Sequence, residues 1–249
     1  MNLQNIVLAL AALAVAAGLR ADEIQVAVAS NFAAPAKRIA AEFERSTGHK
    51  AHLSFGATGK FYAQIRNGAP FEVLLAADDI TPAKLEAEGA AIPGSRFTYA
   101  VGRLALWSAK PGFVDAKGDV LSKGGFAHLA LANPRLAPYG VAAVEVLTAL
   151  MLLDRLRPTF VQGENIAQTH QFIASGNAEL GFVALSQVSR DGRIPEGSAW
   201  IVPAALHAPI RQEAVLLAPG RGKAAAEAWL RYLRSDPAKA VIRAFGYGL

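Results

Sequence analysis

The sequence predicts a two-lobed α/β protein, each lobe a mostly parallel sheet flanked by helices, with a ligand cleft between them. Three observations predict it. Short apolar runs alternate with helical stretches from residue 23 to 88, the pattern of a parallel sheet covered on both faces. The alternation breaks and restarts near residue 100 with no Pro/Gly/Ser linker, and breaks again near Leu206–Arg211. Two such crossings suit a chain that enters a second lobe and returns to the first, giving lobes of residues 22–101 plus 207–249 and of residues 102–206.

In the first lobe Glu23–Ala29 reads as a buried strand, apolar and β-branched. Ala34–Ser46 is helical, with Ile39, Ala40 and Phe43 on one face and Lys37, Arg38, Glu42 and Glu44 largely on the other. Lys50–Phe55 is a strand, Phe61–Arg66 a short helix closed by Asn67-Gly68, and Val73–Ala77 a third strand. Thr81–Glu88 is a helix with Pro82 in its first turn. Arg103–Ser108 and Leu129–Ala132 are strands of the second lobe, followed by a long helix, Val141–Asp154. Thr159–Gln162 is a strand, Ile166–Ala174 a helix, and Leu180–Leu185, Ala199–Val202 and Ala214–Ala218 are further strands. Lys223–Ser235 is helical and Ala238–Phe245 closes the chain.

Composition narrows the class. Ile6–Ala17 is an unbroken apolar run of the length of a signal-peptide core, so residues 1–21 read as an export leader. Its n-region lacks Lys and Arg; cleavage after Ala21 or after Gly18 and an uncleaved anchor are the alternatives. There are no cysteines, so an exported chain must stand on a packed core, and 53% hydrophobic residues allow it. Removing Arg20 with the leader takes the net charge from +5 to +4. The basic residues are scattered, without a stripe or interleaved aromatics, which disfavours nucleic acid.

Four turns sit where a strand should end and a helix begin: Ala29-Ser30-Asn31-Phe32, Gly56-Ala57-Thr58-Gly59, Ala137-Pro138-Tyr139-Gly140 and Gly163-Glu164-Asn165-Ile166. A helix start carries unpaired N–H groups and partial positive charge, so it attracts anions. If the four converge, they can hold a small oxyanion without Lys or Arg. Each turn also has a plainer reading. Ser30 and Asn31 are good helix caps, and Tyr139 can be a packing aromatic. Gly56–Lys60 fails the phosphate-loop pattern, because two residues rather than four separate the glycines and Phe61 follows Lys60. Lys60 then reads as solvated, and Glu164 as a surface or capping residue. Asp78-Asp79 suggests a metal or acid–base site, or a cap leading to Thr81-Pro82, the reading favoured here. The five histidines show no metal-ligand spacing with Asp or Glu. No Gly-x-Ser-x-Gly elbow appears.

The order and spacing of these segments resemble the periplasmic molybdate-binding proteins (ModA) of ABC transporters, which have the type II periplasmic-binding-protein fold. The carrying segments are Ala29-Ser30-Asn31, Ser54–Gly59, Gly68-Ala69-Pro70, Asn133-Pro134 with Ala137–Gly140, Asn165–Gln168, Ala178–Val183, Tyr232-Leu233 and Phe245-Gly246. The likeness covers the whole mature chain. It implies capture of molybdate and tungstate in the periplasm, delivery to a membrane permease, lobe closure on the ligand, a monomer, no cofactor and no enzymatic activity. It carries the ligand set onto Ser30, Asn31, Thr58, Tyr139 and the N–H of Ile166, with the metal centre held only through its oxygens. Many members have a ligand tyrosine where this chain has Ala184, and the Tyr139 hydroxyl is expected to replace it. The alternatives are a sulfate or other oxyanion carrier, an enzyme on the same bilobal fold, and a sensory domain.

Overall fold

The computed structural model describes residues 21–190 and 192–249. The leader reading therefore lies outside the described residues, apart from Ala21. The chain begins with β1 (Glu23–Ala29), a 3-10 turn at Ser30–Phe32, α1 (Ala33–Thr47), β2 (Lys50–Gly56), α2 (Thr58–Arg66), β3 (Val73–Leu75) and α3 (Ile80–Ala87). Two strands follow back to back, β4 (Phe97–Gly102) and β5 (Leu104–Ser108), then α4 (Val120–Lys123), β6 (Leu129–Ala132), α5 (Pro138–Ala149) and α6 (Leu153–Leu156). The remainder is β7 (Phe160–Gly163), α7 (Ile166–Ala174), β8 (Leu180–Ala184), α8 (Leu185–Val188), β9 (Ser198–Ile201), β10 (Ile210–Leu216), α9 (Ala224–Leu233) and α10 (Asp236–Ala244).

These strands form two five-stranded sheets, β2-β1-β3-β10-β4 and β7-β6-β8-β5-β9. In the first sheet only β10 is reversed against its neighbours; in the second only β5 is. The mixed α/β, mostly parallel reading of each half is therefore correct. The chain leaves the first sheet at Gly102 and returns to it at Ile210.

Strand alternation sorts the core into layers. On one face of the first sheet Ile24, Val26, Val28, Val73 and Leu75 meet Ile39 and Phe43 of α1 and Trp229 of α9. On its other face Ala27, Leu74 and Val215 meet Phe61 and Ile65 of α2 and Leu85 of α3. The second sheet repeats this arrangement, with Leu104, Leu106, Leu129 and Leu131 against Val146 and Leu147 of α5, and Ala105, Ala130 and Val183 against Ile173 of α7. Each such large side chain contributes roughly 1.5–3 kcal/mol by leaving water.

Three readings need correction. Phe97–Gly102 is a strand of the first sheet that the sequence reading passed over. The long helix ends at Ala149, because Met151 takes a positive φ of 57°, and a separate short helix follows. The last strand begins at Ile210, not Ala214, and so fills part of the expected break near Leu206–Arg211.

Candidate functional site

All four turns lie at the carboxyl ends of parallel strands: β1, β2, β6 and β7. That is where open α/β sheets take ligands. The structure ties the turns to one another across the space between the sheets. The Ser30 hydroxyl donates to Asn165 Oδ1 at 3.3 Å, joining the first turn to the fourth. The Gly59 N–H donates to the Leu136 carbonyl at 2.9 Å, joining the second to the third. A Cβ on Gly59 would stand 3.0 Å from Leu136 Cα, a tight contact, so the close approach favours glycine. Lys60 and Glu164 form a half-exposed ion pair at 2.8 Å, joining the second turn to the fourth. A pair this exposed is worth under about 1 kcal/mol.

The residues that enter these helices decide what is left to bind. Ala29, Ala57 and Ala137 precede the first three, and none supplies a side-chain cap. Alanine has no acceptor, so the first N–H groups of those helices stay unclaimed by a cap. Ser30 and Asn31 thus do not cap; they form the 3-10 turn itself. The fourth helix is capped by Asn165, whose Oδ1 accepts from the N–H of Ala167 at 2.9 Å and of Gln168 at 3.0 Å. That cap leaves out the N–H of Ile166, the first residue of α7.

Thr58, Tyr139 and Ile166 are buried, as are Ser30 and Asn31. Thr58 Oγ1 accepts from the Ala77 N–H at 3.0 Å, so its own proton remains free to donate. Asn31 spends both Nδ2 hydrogens internally, on Gln212 Oε1 at 2.8 Å and the Tyr247 hydroxyl at 3.0 Å. What the first turn offers an anion is therefore backbone N–H. The Tyr139 hydroxyl accepts from Gln212 Nε2 at 3.2 Å and also meets the Tyr247 hydroxyl. The arrangement is a set of donors, peptide and hydroxyl, with no cationic side chain among Ser30, Asn31, Thr58, Tyr139 and Ile166.

Several supporting residues escaped the sequence reading. Gln187 Oε1 accepts from the Ala184 N–H at 2.9 Å, and its Nε2 donates to the Ile166 carbonyl at 3.1 Å. The Asn31 carbonyl accepts from the hydroxyls of Ser186 at 3.1 Å and Tyr247 at 2.8 Å. Only Asn165 had a visible signal, as an Asn directly before a helical run.

Asp78 behaves as a local cap. Its carboxylate accepts from the Thr81 N–H at 2.8 Å and the Thr81 hydroxyl at 3.2 Å. Burial raises its pKa against these bonds. Among the described residues no group of three His, Asp or Glu could hold a metal ion. A groove of about 270 Å³ opens beside the turns, lined in part by Ile80, Val141, Asp79, Glu145, Arg135 and Arg211. It is wide, mostly apolar and of mixed charge, so it suits a small dianion less well than the turns do.

Two predictions arise here. A Cβ on Gly102 would overlap the Tyr139 hydroxyl and stand 2.7 Å from Gln212 Nε2. Gly102→Ala is expected to lower stability by about 1–3 kcal/mol through this overpacking, read as a reduced denaturant midpoint. The second concerns alkali. Burial raises the pKa of Tyr247 to about 12 and those of Tyr99 and Tyr139 well above the ordinary value of 10.0. Above pH 10 the unfolded chain sheds phenol protons that the fold retains, so stability falls as pH rises from 10 towards 12. Thermal midpoints measured across that range should drop steadily; a flat profile would contradict the burial of these hydroxyls.

Known proteins resemble this chain along nearly its whole length. A family model described as bacterial extracellular solute-binding protein matches residues 24–248. The chain is 58% identical over 248 residues to the molybdate-binding protein ModA of Azotobacter vinelandii, covering 100% of this chain and 98% of that one. It is 51% identical to ModA of Rhodobacter capsulatus, covering 91% and 88%. Among solved structures, the periplasmic molybdate-binding protein of Azotobacter vinelandii superposes with a TM-score of 0.88 at 46% identity, covering 91% of this chain and 99% of that one.

Proposed function

We propose that this chain, which belongs to the bacterial extracellular solute-binding protein family, is a periplasmic carrier that captures molybdate for an ABC-transporter permease. It takes tungstate as well, and it is a binding protein rather than an enzyme. The observation that carries the reading is the meeting of four helix starts, three uncapped and one capped so that its first N–H is left over. The proposed ligands are Ser30, Asn31, Thr58, Tyr139 and Ile166.

The chemistry of the ion fits a cavity of donors. Molybdate and tungstate are fully ionised near neutral pH and present only acceptors. Hydrogen phosphate carries a proton that needs an acceptor, and these turns aim none at it. Sulfate presents only acceptors but is smaller, so a cavity sized for molybdate leaves its bonds stretched. Hydrogen bonds to a charged partner contribute roughly 1.5–3 kcal/mol each, so about six offset much of the cost of dehydrating the dianion.

In this reading residues 1–21 are an export leader, and the mature protein is a monomer. Its lobes are residues 22–101 with 207–249, and residues 102–206. They close on the ion, and the closed form is what the permease receives. Titration calorimetry of the chain without its leader tests the reading. One-to-one heats with molybdate and tungstate, and none with sulfate or phosphate, are expected. Equal binding of sulfate would replace it with a general oxyanion carrier. Silence with all four would favour an enzyme on the same bilobal architecture.

A further inference from the structure

Lys60 stands in the first turn of α2, which packs on the first sheet. Glu164 lies between β7 and α7, which belong to the second. Lys60 Nζ and Glu164 Oε2 meet at 2.8 Å across the space between the sheets. Each residue is two positions from a proposed ligand, Thr58 on one side and Ile166 on the other. Thr58 and Ile166 are 1% and 3% exposed, whereas the Lys60 and Glu164 side chains are 49% and 52% exposed. The pair is therefore the outer rim of a contact whose inner side is the donor set. Both ends are anchored. Next to Lys60 the Gly59 N–H holds the Leu136 carbonyl at 2.9 Å, and the Glu164 N–H donates to Gln168 Oε1 on α7 at 2.7 Å.

We propose that the Lys60–Glu164 pair is a latch, tying α2 to the start of α7 and slowing escape of the bound ion without touching it. This rests on the molybdate reading above. With the lobes closed on the ion, release requires the second and fourth turns to part, and parting them breaks the pair. The latch also accounts for an acid at this place. A lone carboxylate two positions from a donor to a dianion repels the ion. Joined to Lys60, it adds no net charge to the rim and gains a hold on the opposite helix. The two roles open to Glu164 therefore predict opposite signs. If it is half of a latch, neutralising it frees the ion faster. If it is a bare charge near the ion, neutralising it removes a repulsion and holds the ion longer.

Release of radiolabelled molybdate from loaded protein into excess unlabelled molybdate tests this, using wild type, Lys60→Met, Glu164→Gln and the double variant. Both side chains are half-exposed, so all four proteins are expected to fold. In about 0.05 M salt each single variant should release the ion about 2- to 5-fold faster than wild type. The double variant should release it no faster than the faster single, because one pair can be broken only once. In about 1 M salt, which screens exposed charges, the four rates should draw together. A Glu164→Gln protein that releases the ion more slowly than wild type, or at the same rate, would overturn the latch. Single effects that multiply in the double variant would overturn it as well, since the two charges would then act separately. Wild-type protein that retains no label would overturn the molybdate reading itself, a result distinct from any difference among the variants.

Discussion

Ile166→Pro is expected to bind molybdate about 10- to 100-fold more weakly than Ile166→Ala, with the helix content of the two variants equal. Proline is well suited to the first position of a helix, where its fixed φ matches and no intrahelical bond is lost. Asn165, which precedes it, already sits at φ −152° and ψ 170°, the extended region a residue before proline requires. The Asn165 cap on Ala167 and Gln168 is untouched, and the Ile166 carbonyl still accepts from Gln187. The substitution therefore removes one N–H and the buried Ile side chain. Ile166→Ala removes most of that side chain and keeps the N–H, so the difference between the two isolates the peptide donor. Equal affinities, measured by calorimetry, would exclude Ile166 from the site.

Thr58→Val has the second large effect, and it falls on binding and stability together. Valine matches threonine in shape but brings no hydroxyl. The loss takes a donor from the anion, about 10- to 100-fold in affinity. It also strips the Ala77 N–H of its acceptor at 3.0 Å. A buried N–H left unpaired costs about 1–3 kcal/mol. Thr58→Ser keeps the hydroxyl and should restore most of both. Calorimetry and a denaturant titration on the three proteins check this. A valine variant that binds like wild type would show that the Thr58 hydroxyl serves the fold alone.

The strands and turns that frame the site were legible because they rest on local signals. Ile24, Val26 and Val28 announce a strand by alternation, and Ser30, Gly56 and Asn165 mark its neighbours' ends by their backbone preferences. The strand Phe97–Gly102 was not legible, because only Arg103 separates it from Leu104–Ser108 although the two belong to different sheets. No Gly-Pro or Asn-Gly pair marks the change. The end of α5 was hidden in the same way, since the apolar pattern runs on through Met151, where the backbone turns to positive φ.

The supporting shell was hidden for a different reason. Gln212 meets Asn31 from 181 positions away, and Tyr247 meets it from 216. A glutamine between Arg211 and Glu213 reads as one more polar residue and carries no local sign of such a partner, so Gln212, Gln187 and Tyr247 needed the folded chain. Asn31 shows the same limit from the other side. Its place in the first turn was legible, but that its amide is spent on Gln212 and Tyr247 was not.

The central claim is that hydroxyls and peptide N–H groups, not cations, hold the ion. It is tested most directly by anomalous diffraction at the molybdenum edge from crystals grown with molybdate. The predicted result is one peak facing the Thr58 hydroxyl and the Ile166 N–H, set back from each by a Mo–O bond beyond hydrogen-bonding distance, because the donors reach the metal only through its oxygens. A peak instead beside Arg135 and Arg211 in the adjacent groove, or among Arg234, Lys239 and Arg243 near the C-terminus, would contradict it.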